Sequence, residues 1–262
     1  MVQKECGPKI ITKYVDGKLI QEEDIVVSER PLTVYVNSQE VATMVCTPSN
    51  YEELVIGFLA SEGVIRLHNE IQTISVDEHK GFAYVQLSKK FTKSQEFFSK
   101  RFIGSCCGKS RQFYYHADVQ TAKTSTSTNT ITALQCIKLM NEMQNSSVLF
   151  LKTGGVHNAA LCTEKNIIVS RSDIGRHNAL DKIFGYCLKN KLPTRDKVLV
   201  FSGRISSEVL VKAAKIGVGI ILSKSAPTDL AIQLADELNI TAVGFIRGNS
   251  FNIYSHSERI VE

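Results

Sequence analysis

Two adjacent cysteines, Cys106 and Cys107, are the residues of this sequence whose types and spacing most directly suggest chemistry. They lie in the segment GSCCGKS, with Arg101 before them and Lys109 and Arg111 after them. Cationic neighbours lower the pKa of a thiol and favour the nucleophilic thiolate. A glycine-flanked tip of small residues can also carry a sulfur atom between two partners. The segment therefore predicts a nucleophilic, sulfur-carrying thiol.

Other interpretations of the cysteine pair stay open from the residues alone. The pair could be fortuitous, or two buried thiols without a chemical role, although burial is disfavoured in so polar a segment. A disulfide between neighbouring residues is possible but strained. A zinc site would need C-x-x-C spacing and further ligands, and this segment has neither.

Five polar turns in the second half of the chain each follow an apolar run typical of a strand. Their sequences are TGGVH, RSDIGRHN, SGRISSE, SKSAPT and RGNS. Ligands of open α/β sheets bind beyond the carboxyl ends of the strands. At least three of these turns open a helix, whose amino-terminal N–H groups favour anions. The set therefore predicts a phosphorylated, nucleotide-like ligand.

The candidate ligand-binding residues in these turns are small, polar or positively charged. Glycines let the backbone approach a ligand closely, and arginines provide planar donors that match phosphate. The candidates are Gly154, Gly155, His157, Asp173, Arg176, His177, Ser202, Gly203, Arg204 and Ser225, with Arg171, Gly175, Arg247 and Gly248 in the same turns. For any single turn, turn geometry and helix capping explain the same residues about as well. The turns match neither a P-loop nor a G-x-G-x-x-G fingerprint.

The elements that must position these residues begin with short strands in the first half. ITKYVDGKLI predicts a hairpin whose turn is Asp16-Gly17, and LTVYVNSQEVATMVC predicts a second one. TPSNYEELVIGFLASEGVI predicts a helix, with capping-box spacing between Ser49 and Glu52 and a stop at Gly63. IQTISVD and FAYVQL predict another strand pair.

The second half alternates short apolar runs with helical patterns. VLFL (148–151), IIVS (167–170), KVLVF (197–201), VGIIL (218–222) and TAVGFI (241–246) predict strands. ITALQCIKLMNEMQ, ALDKIFGYCLKN, SSEVLVKAAKIG and TDLAIQLADELN predict helices. The alternation favours a largely parallel sheet covered on both faces.

The tract TAKTSTSTNTIT, residues 121–132, is rich in Ser and Thr and predicts a mobile loop. With the cysteine pair just before it, we expect residues 104–132 to be mobile without ligand, so that the thiol swings between a donor and the sheet.

Composition limits the class of protein. The chain has 262 residues, enough for one large domain or a core with a smaller companion, and 43% apolar with 22% charged residues excludes disorder, collagen and coiled coil as global descriptions. A net charge of +5 suits an anionic small ligand and is too weak to indicate nucleic acid. Seven cysteines and no secretory or membrane-spanning pattern favour the reducing cytoplasm.

The turn sequences also carry a resemblance. TGGVHNAAL, DIGRHNALDKIFG, SGRISSEVLVKAA, SKSAPTDLA and VGFIRGNSFNIY resemble, in this order, the blocks of the formate dehydrogenase accessory sulfurtransferase (FdhD) family. ERPLTVYVN and TPSNYEELVIGFLASEGVI resemble its amino-terminal pattern, so the likeness extends from about Val26 to Tyr254. It implies a cytidine-deaminase-like three-layer α/β core with a mostly parallel sheet over 111–262. A smaller β-rich α+β part over 1–110 would end in the cysteine loop.

The resemblance also implies a function. A cytoplasmic sulfurtransferase of this kind accepts persulfide sulfur from a cysteine desulfurase and passes it to the bis(molybdopterin guanine dinucleotide) molybdenum cofactor, which active formate dehydrogenase requires. It implies a homodimer, with the guanine dinucleotide cofactor as a bound substrate. No permanent cofactor, catalytic metal, nucleic acid or membrane partner is expected.

The cysteine motif departs from the family pattern C-G-x-C-G. Both ways of aligning Cys-Gly select Cys107 as the persulfide carrier, and only the preceding serine favours Cys106, which we keep as a helper. The family's cofactor-binding stretch falls on Phe245, Ile246, Arg247, Gly248, Asn249 and Ser250.

Two rival functions follow from the same residues. A zinc nucleobase deaminase would need H-x-E or C-x-E with P-C-x-x-C, and neither pattern occurs in the sequence. A non-catalytic chaperone that binds the molybdenum cofactor for formate dehydrogenase stays open, because binding and sulfur delivery could use the same crevice.

Overall fold

A computed structural model describes residues 5–88, 122 and 124–262, and the backbone of 101–103. Within the described residues, the first half contains strands and one α-helix. In chain order they are β1 (Cys6–Val15), β2 (Lys18–Val27), β3 (Arg30–Val36), β4 (Gln39–Cys46), α1 (Tyr51–Ser61), β5 (Ile71–Asp77), β6 (Phe82–Leu87) and β7 (Arg101–Ile103).

The second half alternates strands and helices over most of its length. The elements are β8 (Ile131–Thr132), α2 (Ala133–Ser146), α3 (Val148–Thr153), β9 (His157–Cys162), β10 (Ile167–Asp173), α4 (Arg176–Lys189), β11 (Val198–Phe201), α5 (Ser207–Ile216), β12 (Ile220–Ser223), α6 (Asp229–Glu237), β13 (Thr241–Arg247), β14 (Ser250–Ile253) and β15 (Ile260–Val261).

The strands of the first half form a separate hairpin, β1–β2, and a five-stranded sheet in the order β5-β6-β3-β4-β7. Both predicted hairpins are confirmed, and Asp16 and Gly17 adopt the positive φ angles of 48° and 83° that a tight turn requires. The predicted capping box of α1 is wrong. Asn50 is the N-cap residue, and the hydroxyl of Ser49 instead accepts a hydrogen bond from Lys182 at 3.4 Å.

The main sheet has six strands in the order β10-β9-β11-β12-β13-β14. The predicted largely parallel arrangement holds for two neighbouring pairs, β11–β12 and β12–β13, while the other three pairs are antiparallel. The sheet is therefore mixed. Short turns join β9 to β10 and β13 to β14, and a short turn can connect only antiparallel neighbours.

The predicted strand VLFL is wrong, because these residues form the short helix α3. The hydroxyl of Ser147 caps it by accepting from the amide of Phe150, and Gly154 ends it with a φ of 62°. Val148 and Leu151 are 61% and 63% exposed, so this apolar run is not a buried strand. The other predicted strands and helices of the second half are confirmed.

One continuous core joins the five-stranded sheet and α1 to α4, α5, α6 and one face of the six-stranded sheet, while α2 covers the other face. Helices α1 and α4 touch through their backbones. A methyl group at Gly57 would collide with the carbonyl of Asp181, and one at Gly185 with the carbonyl of Glu53. The two predicted parts of the chain therefore pack on each other without a solvent layer.

The Ser/Thr-rich tract is held against the protein over its described part, 124–132. Arg195 donates to the carbonyl of Thr126 at 2.8 Å, and Arg259 donates to the carbonyl of Ser127 at 3.2 Å. Ser127 is buried. The prediction of a mobile loop is therefore corrected for this stretch, while residues 104–121 and 123 lie outside the described residues.

No helix within the described ranges combines the length and the apolar character needed to cross a lipid bilayer.

Candidate functional site

The five polar turns lie along one edge of the six-stranded sheet. Strands β11, β12 and β13 are parallel neighbours, so their carboxyl ends share this edge. Strand β9 runs antiparallel to β11 and brings its amino end here, and β10 runs antiparallel to β9 and brings its carboxyl end here. We call this surface the turn edge. It comprises residues 154–157, 173–177, 202–206, 224–228 and 245–250.

The turn after β11 is tied to the start of β9. The amide of Ser202 donates to the carbonyl of Asn158 at 3.0 Å, and the hydroxyl of Ser202 accepts from the amide of Asn158 at 2.9 Å. Gly203 lies beside His157 and Phe201. A Cβ atom at Gly203 would stand 2.8 Å from the Phe201 ring and 3.4 Å from His157 Nδ1. Glycine is therefore required here by the close approach of two rings.

The turn after β12 joins the turns on either side of it. The hydroxyl of Ser223 donates to the carbonyl of Gly203 at 2.7 Å and accepts from the amide of Ser225 at 3.0 Å. The carbonyl of Ser225 in turn accepts from the amide of Phe245 at 3.2 Å. These bonds hold three of the predicted turns as one connected surface.

The turn between β13 and β14 presents an aromatic ring and a cation together. Phe245 adopts a left-handed φ of 55°, and the guanidinium of Arg247 lies 5.4 Å from the centre of its ring. Gly248, Asn249 and Ser250 are exposed beside them. Ile246 departs from the prediction, since it is 2% exposed and packs in the core under α2.

Helix α4 begins at the turn edge with two cationic or protonatable side chains, Arg176 and His177. The 14-residue helix directs its amino-terminal amide groups and positive dipole end toward this surface. Arg176 Nε is shielded from water and has no hydrogen-bond partner among the described residues. His177 Nε2 lies 2.9 Å from Glu208 Oε2, in the first turn of α5. The local sequence gives no sign of a functional role for Glu208, because a glutamate in the first turn of a helix is typical of helix capping.

His157 is neutral at neutral pH. Burial lowers its pKa below the ordinary value of 6.5, and the positive charge of Arg176 and the neighbouring His177 lower it further. A neutral imidazole can accept a hydrogen bond or a proton from a ligand.

Asp173 supports the turn edge from beneath and is not available to a ligand. The side chain is fully buried, and its Oδ1 accepts from the amide of Gly175 at 2.8 Å and from Asn178 Nδ2 at 2.9 Å. Its Oδ2 accepts from the amide of Thr47 at 3.2 Å and lies 2.8 Å from Lys182 Nζ. With both oxygens occupied, the predicted ligand contact of Asp173 is replaced by a structural role.

The remaining predicted residues are solvent-facing. Gly154, Gly155 and Arg204 are exposed, and Arg204 precedes the amino end of α5. Gly155 lies against the β1–β2 hairpin, since a Cβ atom there would stand 2.8 Å from Val27 Cγ1. The hairpin therefore borders the turn edge, which no local sequence signal indicated.

Arg171, by contrast, does not belong to the site. Its guanidinium binds both carboxylate oxygens of Glu53, at 2.6 and 2.8 Å, and lies 5.0 Å from the centre of the Tyr186 ring. It joins α1 to β10 and α4. The turn edge thus retains Arg176, Arg204 and Arg247 as cations that can meet an anionic ligand.

Cys106 and Cys107 lie outside the described residues. Strand β7 ends at Ile103, beside Met44 of the parallel strand β4. Three residues beyond Met44, the amide of Thr47 contacts Asp173 at the turn edge. Strand β7 therefore runs toward this edge. The four residue steps from Ile103 to Cys107 span at most about 14 Å.

The described cysteines are poor nucleophiles, with Cys6 as the exception. Cys46, Cys136, Cys162 and Cys187 are at most 3% exposed. Burial raises the pKa of Cys136, Cys162 and Cys187 to about 12 and raises that of Cys46 as well. Cys6 is partly exposed at the start of the hairpin.

Comparison with known proteins gives a consistent result. The sequence profile described as the FdhD/NarQ family matches residues 27–261. A Halalkalibacterium halodurans protein named sulfur carrier protein FdhD is 60% identical over 253 residues, which are 96% of this chain and 94% of that protein. A Bacillus subtilis protein of the same name is 56% identical over 262 residues, the full length of both chains.

A solved structure from Desulfotalea psychrophila shows the same fold. It is described as a formate dehydrogenase accessory protein and superimposes with a TM-score of 0.81 at 24% sequence identity. The match covers 98% of this chain and 100% of the other.

Proposed function

The chain belongs to the FdhD/NarQ family, and from this membership we propose that it is a sulfur carrier that serves the maturation of formate dehydrogenase. The structural observation that carries the proposal is the direction of β7. This strand leads the chain toward the turn edge four residues before Cys107, so a thiol and an anion-binding surface can operate together.

The proposed sulfur step uses Cys107 as the nucleophile. Its thiolate attacks the outer sulfur of a persulfide on a cysteine desulfurase, forming a new S–S bond while the donor cysteine leaves as a thiolate. Cys107 then holds a persulfide that it delivers at the turn edge. Cys106, its neighbour, is the alternative carrier or a helper thiol.

The proposed sulfur acceptor is the bis(molybdopterin guanine dinucleotide) molybdenum cofactor, bound as a substrate. The amino ends of α4 and α5 together with Arg176 and Arg204 suit its phosphate groups. Phe245, held in a left-handed conformation and paired with Arg247, offers a surface on which a guanine ring can stack. His157, whose pKa is lowered by burial, can accept a hydrogen bond from the ligand.

We further propose that the protein works as a cytoplasmic homodimer. The β1–β2 hairpin supports this, because Ile10, Tyr14 and Leu19 are each at least 70% exposed on it. Register places Ile10, Tyr14 and Leu19 on the same face of the hairpin, since Tyr14 is paired with Leu19. An apolar ribbon of two strands is stable only when something covers it.

Mass spectrometry after incubation with a cysteine desulfurase and cysteine tests the proposed function. A mass gain of one or more sulfur atoms on the peptide that contains Cys107 is the expected result. Cys107→Ser should lose this gain, and Cys106→Ser should retain it.

The non-catalytic chaperone makes the opposite prediction. If the double variant Cys106→Ala with Cys107→Ala binds the molybdenum cofactor and fully activates formate dehydrogenase, sulfur carriage by this cysteine pair is excluded and the chaperone is correct. Retained cofactor binding with inactive formate dehydrogenase supports the sulfur carrier.

A further inference from the structure

We propose that Lys182 is a positioning residue for anion binding at the turn edge, and that it acts through Asp173. The inference rests on the proposed function, because it concerns the surface that would bind the nucleotide part of the substrate. Lys182 meets the turn edge from beneath, at the buried carboxylate of Asp173. It orients the backbone from which Arg176 and His177 project.

Lys182 forms an unusually complete set of buried contacts. Its ammonium group is fully shielded from water and lies 2.8 Å from Asp173 Oδ2. It also donates to the carbonyl of Ser172 at 3.2 Å and to the carbonyl of Thr47 at 3.4 Å. One cation therefore bridges the end of β10 and the chain that leaves β4.

Asp173 transmits this position to the amino end of α4. Its Oδ1 accepts from the amide of Gly175, the N-cap residue, and from the side chain of Asn178 in the first turn. Arg176 and His177 lie between those two anchors. The backbone from which Arg176 and His177 project is therefore held by the carboxylate that Lys182 contacts.

The end of β4 is fixed by the same network. Thr47 donates its amide to Asp173 Oδ2 and accepts from the amide of Ile174 at its hydroxyl, at 3.1 Å. Asn178 donates to the carbonyl of Val45 at 2.9 Å. Strand β4 pairs with β7, which precedes the cysteine pair. The network therefore also fixes the position of the amino end of α4 relative to β7.

Stability alone is a weak reason for this ion pair. Two charges taken out of water lose their hydration, and well-packed apolar residues of similar volume are often as stabilising. The pair has instead a geometric consequence that apolar residues lack. It demands one arrangement of Asp173, Gly175 and Thr47, and so it defines the distance between the anion-binding helix end and β4.

A second buried pair on α4 provides a matched control. Asp181 and Lys212 form an ion pair that is almost fully buried, and Ser61 donates to Asp181 Oδ1 at 2.6 Å. This pair joins α4 to α5 and α1. It has the same chemistry and similar burial, but the bonds from the amide of Gly175 and the side chain of Asn178 at the start of α4 run to Asp173.

The decisive variant combines Lys182→Met with Asp173→Asn. The single change Lys182→Met leaves a buried carboxylate without its cation and should destabilise the fold. The double variant removes both charges, so its thermal stability should recover toward that of the wild type. Its affinity for GDP, measured by titration calorimetry, should nevertheless remain about tenfold weaker.

The control double variant, Lys212→Met with Asp181→Asn, should bind GDP within about twofold of the wild type at a similar thermal stability. Hydrogen exchange gives a second readout. Exchange over residues 173–178 should be faster in the double variant at Lys182 than in the control.

Two results would overturn the inference. One is wild-type GDP affinity in a stability-recovered double variant at Lys182 and Asp173. The other is an equal loss of affinity in the control. Persulfide loading of Cys107 by a desulfurase is measured separately and should be unchanged in the double variant. If the wild-type protein is not loaded with persulfide, sulfur carriage is contradicted but the positioning role of Lys182 is not. If the wild-type protein does not bind GDP, both the anion site and this inference are contradicted.

Discussion

The two edges of the six-stranded sheet are both rich in arginine, serine and asparagine, but they use these residues differently. At the edge opposite the turn edge, Arg259 is 6% exposed and its guanidinium donates to Thr241 Oγ1, the carbonyl of Ser127 and Asn239 Oδ1. At the turn edge, Arg204 is exposed, and Arg247 has one long hydrogen bond, to the carbonyl of Lys224 at 3.4 Å.

The difference follows from strand direction. Strands β10 and β11 bring their carboxyl ends to the turn edge, so α4 and α5, which follow them, begin there and their positive dipole ends lie beside the arginines. Positive groups gathered at one surface favour an anion from solution. At the opposite edge the chain itself, residues 124–130, provides the carbonyl groups that satisfy the arginines. An arginine has a structural role when protein groups accept its hydrogen bonds, and it can bind a ligand when its guanidinium is exposed. The residue type alone does not distinguish the two.

Among the tests of this difference between the two edges, the largest expected effect is a loss of folding stability at the edge opposite the turn edge. Arg259→Ala should destabilise the protein by about 3 kcal/mol, since it leaves a cavity and buried carbonyl groups without a donor. GDP affinity should be unchanged. Urea unfolding measures the first quantity and calorimetry the second. Weaker GDP binding by Arg259→Ala at a temperature where it is folded would mean that the two edges are not independent.

The converse effect is expected at the turn edge. Arg176→Ala should weaken GDP binding by about 1.5–3 kcal/mol, the value of a charge-assisted contact, with less than about 1 kcal/mol of destabilisation. Arg204→Ala and Arg247→Ala should behave similarly. Arg195→Ala, at the opposite edge, is the matched control with unchanged affinity. Wild-type affinity in all three turn-edge variants would contradict the assignment of an anion site.

Thiol labelling extends the comparison to the cysteines. The four buried cysteines should react about tenfold or more slowly than Cys107, because burial both shields them and raises their pKa. Cys6, as a partly exposed thiol, can compete. If Cys107 works over the turn edge, GDP should slow its labelling and leave that of Cys6 unchanged. If GDP does not change the labelling rate of Cys107, this thiol does not work over the site that binds GDP.

The smallest effect concerns pH. The folded-state pKa of His157 is lowered, first by burial and then by Arg176 and His177, so the unfolded chain binds the proton more tightly. Stability from this group is complete above pH 6.5 and declines as the pH falls toward the folded-state value. His157→Gln should therefore flatten the loss of thermal stability between pH 7 and 5.5. A steeper loss of stability in the variant would mean that folding does not lower the pKa of His157.

Local pattern was sufficient for much of the fold and for the positions of the five polar turns. The hairpin at Asp16-Gly17 and the helices α2, α4, α5 and α6 follow from periodicity and turn chemistry, which depend only on near neighbours. The five turns also converge on one edge as predicted. The first turn does so for a different reason, since it precedes β9, and β9 is antiparallel to its neighbour.

Long-range partners decided the rest. The apolar run VLFL could be a strand or a helix by periodicity, and the cap at Ser147 and the exposure of Leu151 resolve it only in three dimensions. Ser/Thr-rich composition predicted mobility for residues 121–132, but Arg195 and Arg259, far along the chain, hold the part from 124 to 132. The composition of the tract cannot predict these hydrogen bonds, because the donors lie 69 and 132 residues further along the chain than their acceptors.

The sequence by itself determined which residues form the turns, which helices begin there, and that Cys106 and Cys107 are the distinctive thiols. Only the tertiary structure decided that Asp173 serves Lys182 and Thr47 instead of a ligand, that Ile246 packs in the core, and that Arg171 binds Glu53. The physical reason is the same in each case. The type of a residue determines which hydrogen bonds and ion pairs its side chain can form. Packing between segments that are distant in the sequence determines which partner it meets.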